Sequence, residues 1–275
     1  MSLRFRVLGS GSTGNATLVE AGETRILIDA GLGPRSLAER LLDAGVDPAS
    51  LAAIFVSHEH SDHSRGAAPF SAKWGVRLAG SRGTYAAAGF GAVDIAGYDV
   101  LTAGTLRRMG QLTVTAVALP HDAAEPLAFV VAADGASLGH ATDFGQVTRT
   151  MVEAFRSCDA LLMESNYDAA MLRDGPYPWS LKERILGPLG HVSNDDVARY
   201  LGGSLGESCR TVVLAHLSQK NNHPEVARMA AEVALRRRGR TEVQLELTSA
   251  EGTDWIQVSA PRVEATGPMR QLRLF

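Results

Sequence analysis

Lysine is almost missing from this chain: of its 27 basic residues only Lys73, Lys182 and Lys220 are lysines, and the other 24 are arginines. With 30 acidic residues the formal net charge is −3, so the surface is not coated for nucleic acid. We read the arginine excess as a composition bias, which composition alone does not tie to function. The cluster RRRGR, Arg236 to Arg240, ends a helical pattern, where cations suit the helix dipole. It is read as a helix terminus and not as a nucleic-acid patch. Cysteine is scarce too. Cys158 and Cys209 lie far apart and form no C-x-x-C pair, so each is read as a buried thiol, with a cytoplasmic location expected. No window approaches 18 consecutive apolar residues, and MSLRFRVLGSGSTGN carries no charged-then-apolar signal pattern. Neither secretion nor membrane contact is expected.

Linkers and repeats are also lacking. The 275 residues, 45% of them hydrophobic and 21% charged, contain no Pro/Gly/Ser-rich divider and no fixed-period repeat. LRFRVLG, ATLVEA and TRILIDAG read as short strands, and PRSLAERLLDAG as a helix with Pro at its start and Gly at its end. LAAIFVS is a buried strand. A strand-rich middle follows in QLTVTAVALPH, PLAFVVAAD and ASLGHATD. Helical and strand patterns then alternate from QVTRTMVEAFRSC to EVQLEL. Strands in both halves with helices between predict two packed sheets covered by helices, in one domain over 1–275.

GSGSTG, Gly9 to Gly14, fits G-x-G-x-x-G after a strand. A dinucleotide site would need a helix to start there, and the following NATLVEA alternates instead. The stretch is a glycine turn whose amides, with Ser10, Ser12 and Asn15, could line a pocket.

What is abundant is histidine in one place. FVSHEHSDHSRG packs three histidines and two acids into residues 58–63, directly after the apolar run LAAIFVS. His121, Asp143 and His216 each end another apolar run, where loops gather at one sheet edge. Pooled with His58, His60, Asp62 and His63 they make seven donors, too many for one tetrahedral zinc. They suit two divalent ions about 3.5–4 Å apart with a bridging carboxylate. Zinc, manganese or iron would be accepted by such a set.

HEHSDH, with LIDAG at 27–31 and the PHDA, ATD and LAHLS segments, resembles the metallo-β-lactamase superfamily. Within it, GSGSTGN, LLMESNYD, YPWSLKERILGPLGHVSN and LAHLSQKNN are similar to the bacterial YycJ/WalJ group, from about residue 5 to about 250. The resemblance implies a four-layer αββα sandwich, with two mixed β-sheets and helices outside. It implies His58, His60 and His121 on one metal, Asp62, His63 and His216 on the other, and Asp143 bridging. Asp29 is read as a residue that orients the histidine loop; His140 and His223 are read as surface or packing histidines.

Two such ions would bring a shared water to a pKa of about 7 and hold the substrate in line. A bridging hydroxide could then cut a lactam, a thioester or a phosphodiester. Asp62 is counted as a catalytic residue as well as a ligand. In the resembling RNase Z branch a Glu and a His act together near the leaving group. By that likeness His191 would protonate the departing sugar oxygen, with Glu164 orienting it. The alternative for His191 is helix entry, because Ser193 and Asp196 make a capping pattern before VARYL.

Only 22 residues separate His121 from Asp143 and 73 separate Asp143 from His216, which leaves no room for an inserted β-CASP domain. The resemblance therefore implies a DNA exonuclease running 5′ to 3′ on duplex ends, with Lys182, Arg184 and Lys220 available to hold phosphates. The rivals are a hydrolase of a cyclic phosphodiester, lactone or thioester on the same centre, and a metal-binding regulator without activity. An oxygen-reducing diiron centre would replace the second loop histidine by an acid, and His60 is intact.

Overall fold

The computed structural model describes residues 2–259. Its fourteen strands form two seven-stranded sheets. The first sheet takes β1 (Leu3–Gly9), β2 (Ala16–Ala21), β3 (Thr24–Ile28), β4 (Ala53–Phe55), β5 (Leu78–Ser81), β6 (Tyr98–Leu101) and the returning β14 (Ile256–Val258), in the order β14-β1-β2-β3-β4-β5-β6. The second takes β7 (Leu106–Met109), β8 (Leu112–Ala118), β9 (Leu127–Ala133), β10 (Ala136–Ala141), β11 (Ala160–Glu164), β12 (Thr211–Ala215) and β13 (Gln244–Leu247), in the order β13-β12-β11-β10-β9-β8-β7. Both sheets are mixed, as expected. Each is antiparallel where hairpins join its strands and parallel where helices cross over: β3 to β6 in one, β10 to β13 in the other.

The helices are α1 (Pro34–Asp43), α2 (Ser61–Ser64), α3 (Ala67–Trp74), α4 (Arg82–Ala87), α5 (Arg149–Phe155), α6 (Ala169–Asp174), α7 (Trp179–Leu186), α8 (Asn194–Gly203) and α9 (Pro224–Arg237). One core lies between the sheets, where Phe5, Ile26 and Phe55 meet Val114, Phe129 and Leu162. Phe55 and Phe129 pack edge to face at 5.7 Å. A second core sits under α5, α8 and α9, and a third under α1 and α3. These are the four layers the alternating patterns anticipate.

Local chemistry explains the turns. Asp134–Gly135 joins β9 to β10 with φ of 50° and 81°, the doubly left-handed geometry of a type I′ hairpin. GSGSTG is the expected turn between β1 and β2, with no helix after it. Helix α1 buries Leu37 and Leu41, while Leu42 faces outward at 61% exposure. Helix α9 ends at Arg237 as expected, but Arg240 of the same cluster is buried, donating to the Gly206 and Cys209 carbonyls. Both cysteines are fully buried. No helix among the described residues is long and apolar enough to cross a membrane. The reading of one domain over 1–275 extends to Met1 and 260–275, which lie outside the described residues.

Candidate metal centre

The seven candidate ligands, with Asp29 and Glu164, sit at or just past the C-terminal ends of strands that share one edge of the sandwich, while His191 reaches that edge from the segment between α7 and α8. Asp29 follows β3, the histidine loop follows β4, His121 follows β8, Asp143 follows β10, Glu164 ends β11, and His216 follows β12. That edge is where parallel strands present their loops and where open α/β sheets bind ligands.

The loop is clamped from beneath by the two segments noted upstream. Asn15 N donates to Asp62 O at 2.8 Å and Ala30 N to His63 O at 2.8 Å. Gly31 passes so close under the loop that a Cβ there would stand 1.5 Å from Asp62 O. Only glycine fits, which accounts for the G of LIDAG. The glycine turn also serves the site: Ser10 Oγ accepts from His216 N at 2.8 Å, and Asn15 Nδ2 lies 3.0 Å from His63 Nε2.

The predicted donors fall into interlocking groups. His58, His60 and His121 form one set, and Asp62, His63 and His216 another; within each, the candidate ligand atoms lie within 4.8 Å of one another. Asp143 joins His58 and His63 in a third group, between the two. Four of the five imidazoles have Nδ1 held by a protein oxygen, which leaves Nε2 toward the donor cluster, while His60 Nδ1 lies 3.2 Å from His121 Nε2. His58 Nδ1 lies 3.0 Å from Ser57 Oγ and His121 Nδ1 lies 3.1 Å from Gly190 O. His63 Nδ1 lies 2.8 Å from Asp29 Oδ2 and His216 Nδ1 lies 2.8 Å from Glu164 Oε1. Asp29 also accepts from Ser57 N and Ser57 Oγ, so it holds the loop from behind.

Three buried atoms facing this space have no hydrogen-bond partner: His58 Nε2, His216 Nε2 and Asp143 Oδ2. Asp143 Oδ2 sits 2.5 Å from His63 Nε2, yet the pair lacks hydrogen-bond alignment. Leaving such groups unsatisfied costs about 1–3 kcal/mol each, so the donor set fits a cation. Strain points the same way. Asp29, Asp143 and His216 hold φ of 62°, 60° and 53°, which non-glycine residues rarely adopt, and no two-residue turn accounts for them.

Glu164 is fully buried and reaches two imidazoles at once, His191 Nδ1 at 2.7 Å and His216 Nδ1 at 2.8 Å, while its Oε2 accepts from Phe144 N. His191 Nδ1 also lies 3.2 Å from Asp143. Burial works to lower the His191 pKa, but Glu164 and Asp143 outweigh it and hold the imidazole well above its usual range. His58 shows the opposite balance: burial, reinforced by His63, holds it well below. The capping box at Ser193 and Asp196 is present too, so His191 enters a helix and also borders the cleft.

One expectation needs correcting. Lys182 is buried, its Nζ donating to Arg173 O and Gly175 O, so it is spent inside the fold; Arg184 and Lys220 do line the cleft. Arg184 is paired with Asp122 at 2.5 Å. Of the two remaining histidines, His140 is a packing residue, within the surface-or-packing reading. It lies between the sheets beside Thr17, and burial lowers its pKa to about 4. His223 is exposed and caps α9. Sequence reasoning missed Tyr177 and Leu181, which border the cleft from the segment before and within α7. Their signal was the apolar spacing of Leu181 and Ile185 in SLKERIL.

Residues 24–203 match the beta-lactamase superfamily domain. The chain belongs to that superfamily. It is 34% identical over 241 residues to exodeoxyribonuclease YycJ of Bacillus anthracis, covering 87% of this chain and 91% of that protein. It is also 34% identical over 233 residues to exodeoxyribonuclease WalJ of Streptococcus pneumoniae serotype 2, covering 83% and 87%. Among solved structures it resembles the metallo-beta-lactamase fold protein YhfI of Bacillus subtilis, with TM-score 0.71, 15% identity, and 93% and 98% coverage. The short form of human tRNase Z gives TM-score 0.59 and 18% identity over 94% of this chain and 99% of that one. At such identity these two likenesses show the fold alone. As a member of this family the chain is a metal-dependent hydrolase.

Proposed function

We propose that the protein is a dinuclear phosphodiesterase acting as a DNA exonuclease, 5′ to 3′ on duplex ends. The observation that carries the reading is the Glu164–His191 pair, 2.7 Å apart, whose imidazole borders the cleft lined by His60, Asp62, His121, Asp143 and His216. The likeness to exodeoxyribonucleases over most of the chain supports it. His58, His60 and His121 would hold one divalent ion and Asp62, His63 and His216 the other, zinc or manganese with iron as a further option, and Asp143 would serve both. Those ions supply Lewis acidity toward water and toward the scissile phosphate.

The chain's own groups do the rest. Asp62, partly buried in the cleft lining with Oδ2 3.7 Å from His63 Nε2 and 3.5 Å from His216 Nε2, would orient the attacking water. Glu164 fixes His191 through Nδ1, and Nε2 has no hydrogen-bond partner among the described residues. From there Nε2 gives its proton to the departing sugar oxygen as general acid. Arg184 and Lys220 at the cleft lip receive phosphates. The same reading takes residues 1–275 as one cytoplasmic domain without a β-CASP insertion.

A second reading keeps the centre but takes a small phosphodiester, lactone or thioester. The cleft volume of about 450 Å³, within the range of small-ligand pockets, favours it. One experiment separates the two: end-labelled duplex DNA incubated with protein loaded with Mn²⁺ or Zn²⁺, beside a His60→Ala control. Stepwise shortening from 5′ ends, lost in the control, is expected. No cleavage by protein carrying two metals would transfer the assignment to the small substrate.

A further inference from the structure

We infer that the DNA strand enters the cleft as an unpaired end, with a terminal nucleobase stacked on Tyr177. This rests on the exonuclease reading above and adds the group that recognises the base.

Size comes first. A cleft of about 450 Å³ is on the scale of a small-ligand pocket, whereas a paired end brings both strands and their stacked bases. A strand that reaches the donors must leave its partner outside. Its exposed base then needs a π face, because unstacking is otherwise uncompensated.

Only one such face is available. Apart from imidazoles, Tyr177 is the sole aromatic side chain lining the cleft among the described residues. It is also braced. Tyr167, Leu172 and Ile185 form a small buried cluster separate from the three large cores, and Tyr177 and Leu181 pack against it half-buried. The buried Lys182 ammonium ties the same segment to the Arg173 and Gly175 carbonyls. The ring is thus held before any ligand arrives, so stacking costs little ordering. Arg184 and Lys220 border the same cleft and can take the flanking phosphates. Stacking tolerates every base, which is what stepwise removal of an arbitrary strand requires.

The test is a cycle of enzyme and substrate changes in metal-loaded protein. kcat/KM is measured on end-labelled single strands with ordinary or abasic terminal residues, for the wild type, Tyr177→Ala and Tyr177→Phe. We expect the abasic end to cost the wild type about tenfold. Tyr177→Ala should lose about as much on ordinary ends and nothing further on abasic ones, and Tyr177→Phe should behave as wild type. Tyr177→Leu, which keeps the packing without a π face, gives the same comparison should the alanine variant not fold. Losses that multiply, or a wild type indifferent to the missing base, would overturn the inference. So would the same coupling found instead in Trp179→Ala, since Trp179 is 63% exposed two residues along and outside the cleft lining. A wild type that degrades no DNA in either metal form would sink the exonuclease reading itself, a result distinct from any of these.

Discussion

The two poles of the candidate metal centre are built from the same side chain but backed by different chemistry. At the pole of His58, His60 and His121, the backing oxygens are neutral: Ser57 Oγ behind His58 and Gly190 O behind His121. At the pole of His63 and His216 they meet carboxylates, Asp29 and Glu164. Carboxylate-backed imidazoles are the more basic ligands, and their backing residues control affinity. At the first pole burial lowers the pKa of His58 and His121. The contrast teaches that equal donors need not bind equally, and that the second pole leans on Asp29 and Glu164, which lie outside the seven donors.

The comparison can be broken at the residue both poles share. Asp143→Ala should abolish the distinction, reducing kcat/KM by about 10³-fold or more and lowering metal content below two ions per chain, measured by elemental analysis. A variant retaining two ions and most activity would remove Asp143 from the centre. His191→Ala tests chemistry apart from binding. Turnover should fall about 10²- to 10³-fold with metal content intact, and loss of metal alongside would recast His191 as a ligand.

Asp29→Asn sharpens the contrast. Titration against a competing chelator should show one of two ions weakened about 10- to 100-fold while the other holds. Equal weakening of both would mean the poles are not separable. The smallest effect is expected at the rim. Lys220→Ala should cost a few-fold in DNA affinity and reduce the slope of log affinity against log salt by about 0.7–0.9, whereas Lys182→Ala should leave that slope unchanged. A salt-slope change in Lys182→Ala would contradict its burial against the Arg173 and Gly175 carbonyls.

Lys182 and Lys220 also show where reading a sequence stops. Both stand near motif residues, and nothing in the string distinguishes them. Their difference arises because α7 folds back on the end of α6, bringing two carbonyls to one ammonium. Trp179, Tyr177 and Leu181 present the same problem: periodicity marks an apolar face but not which member borders a cleft. The short β14 could not be anticipated either. Three residues carry little pattern, and its strand state comes from pairing with β1 at Leu3, Arg4 and Phe5.

By itself the sequence determined what depends on neighbours along the chain. Apolar alternation marked the strands that carry the candidate donors, Pro34 and the glycines punctuated α1, and the dense run from His58 to His63 marked the candidate site. Only the tertiary structure decided what depends on distant residues meeting. It closed GSGSTG and LIDAG under the histidine loop, and it put Glu164 between His191 and His216, residues 27 and 52 positions away. It also sorted the imidazoles into a neutral-backed and a carboxylate-backed pole. The reason is physical: periodicity is a property of one segment, whereas burial and charge pairing belong to the space between segments.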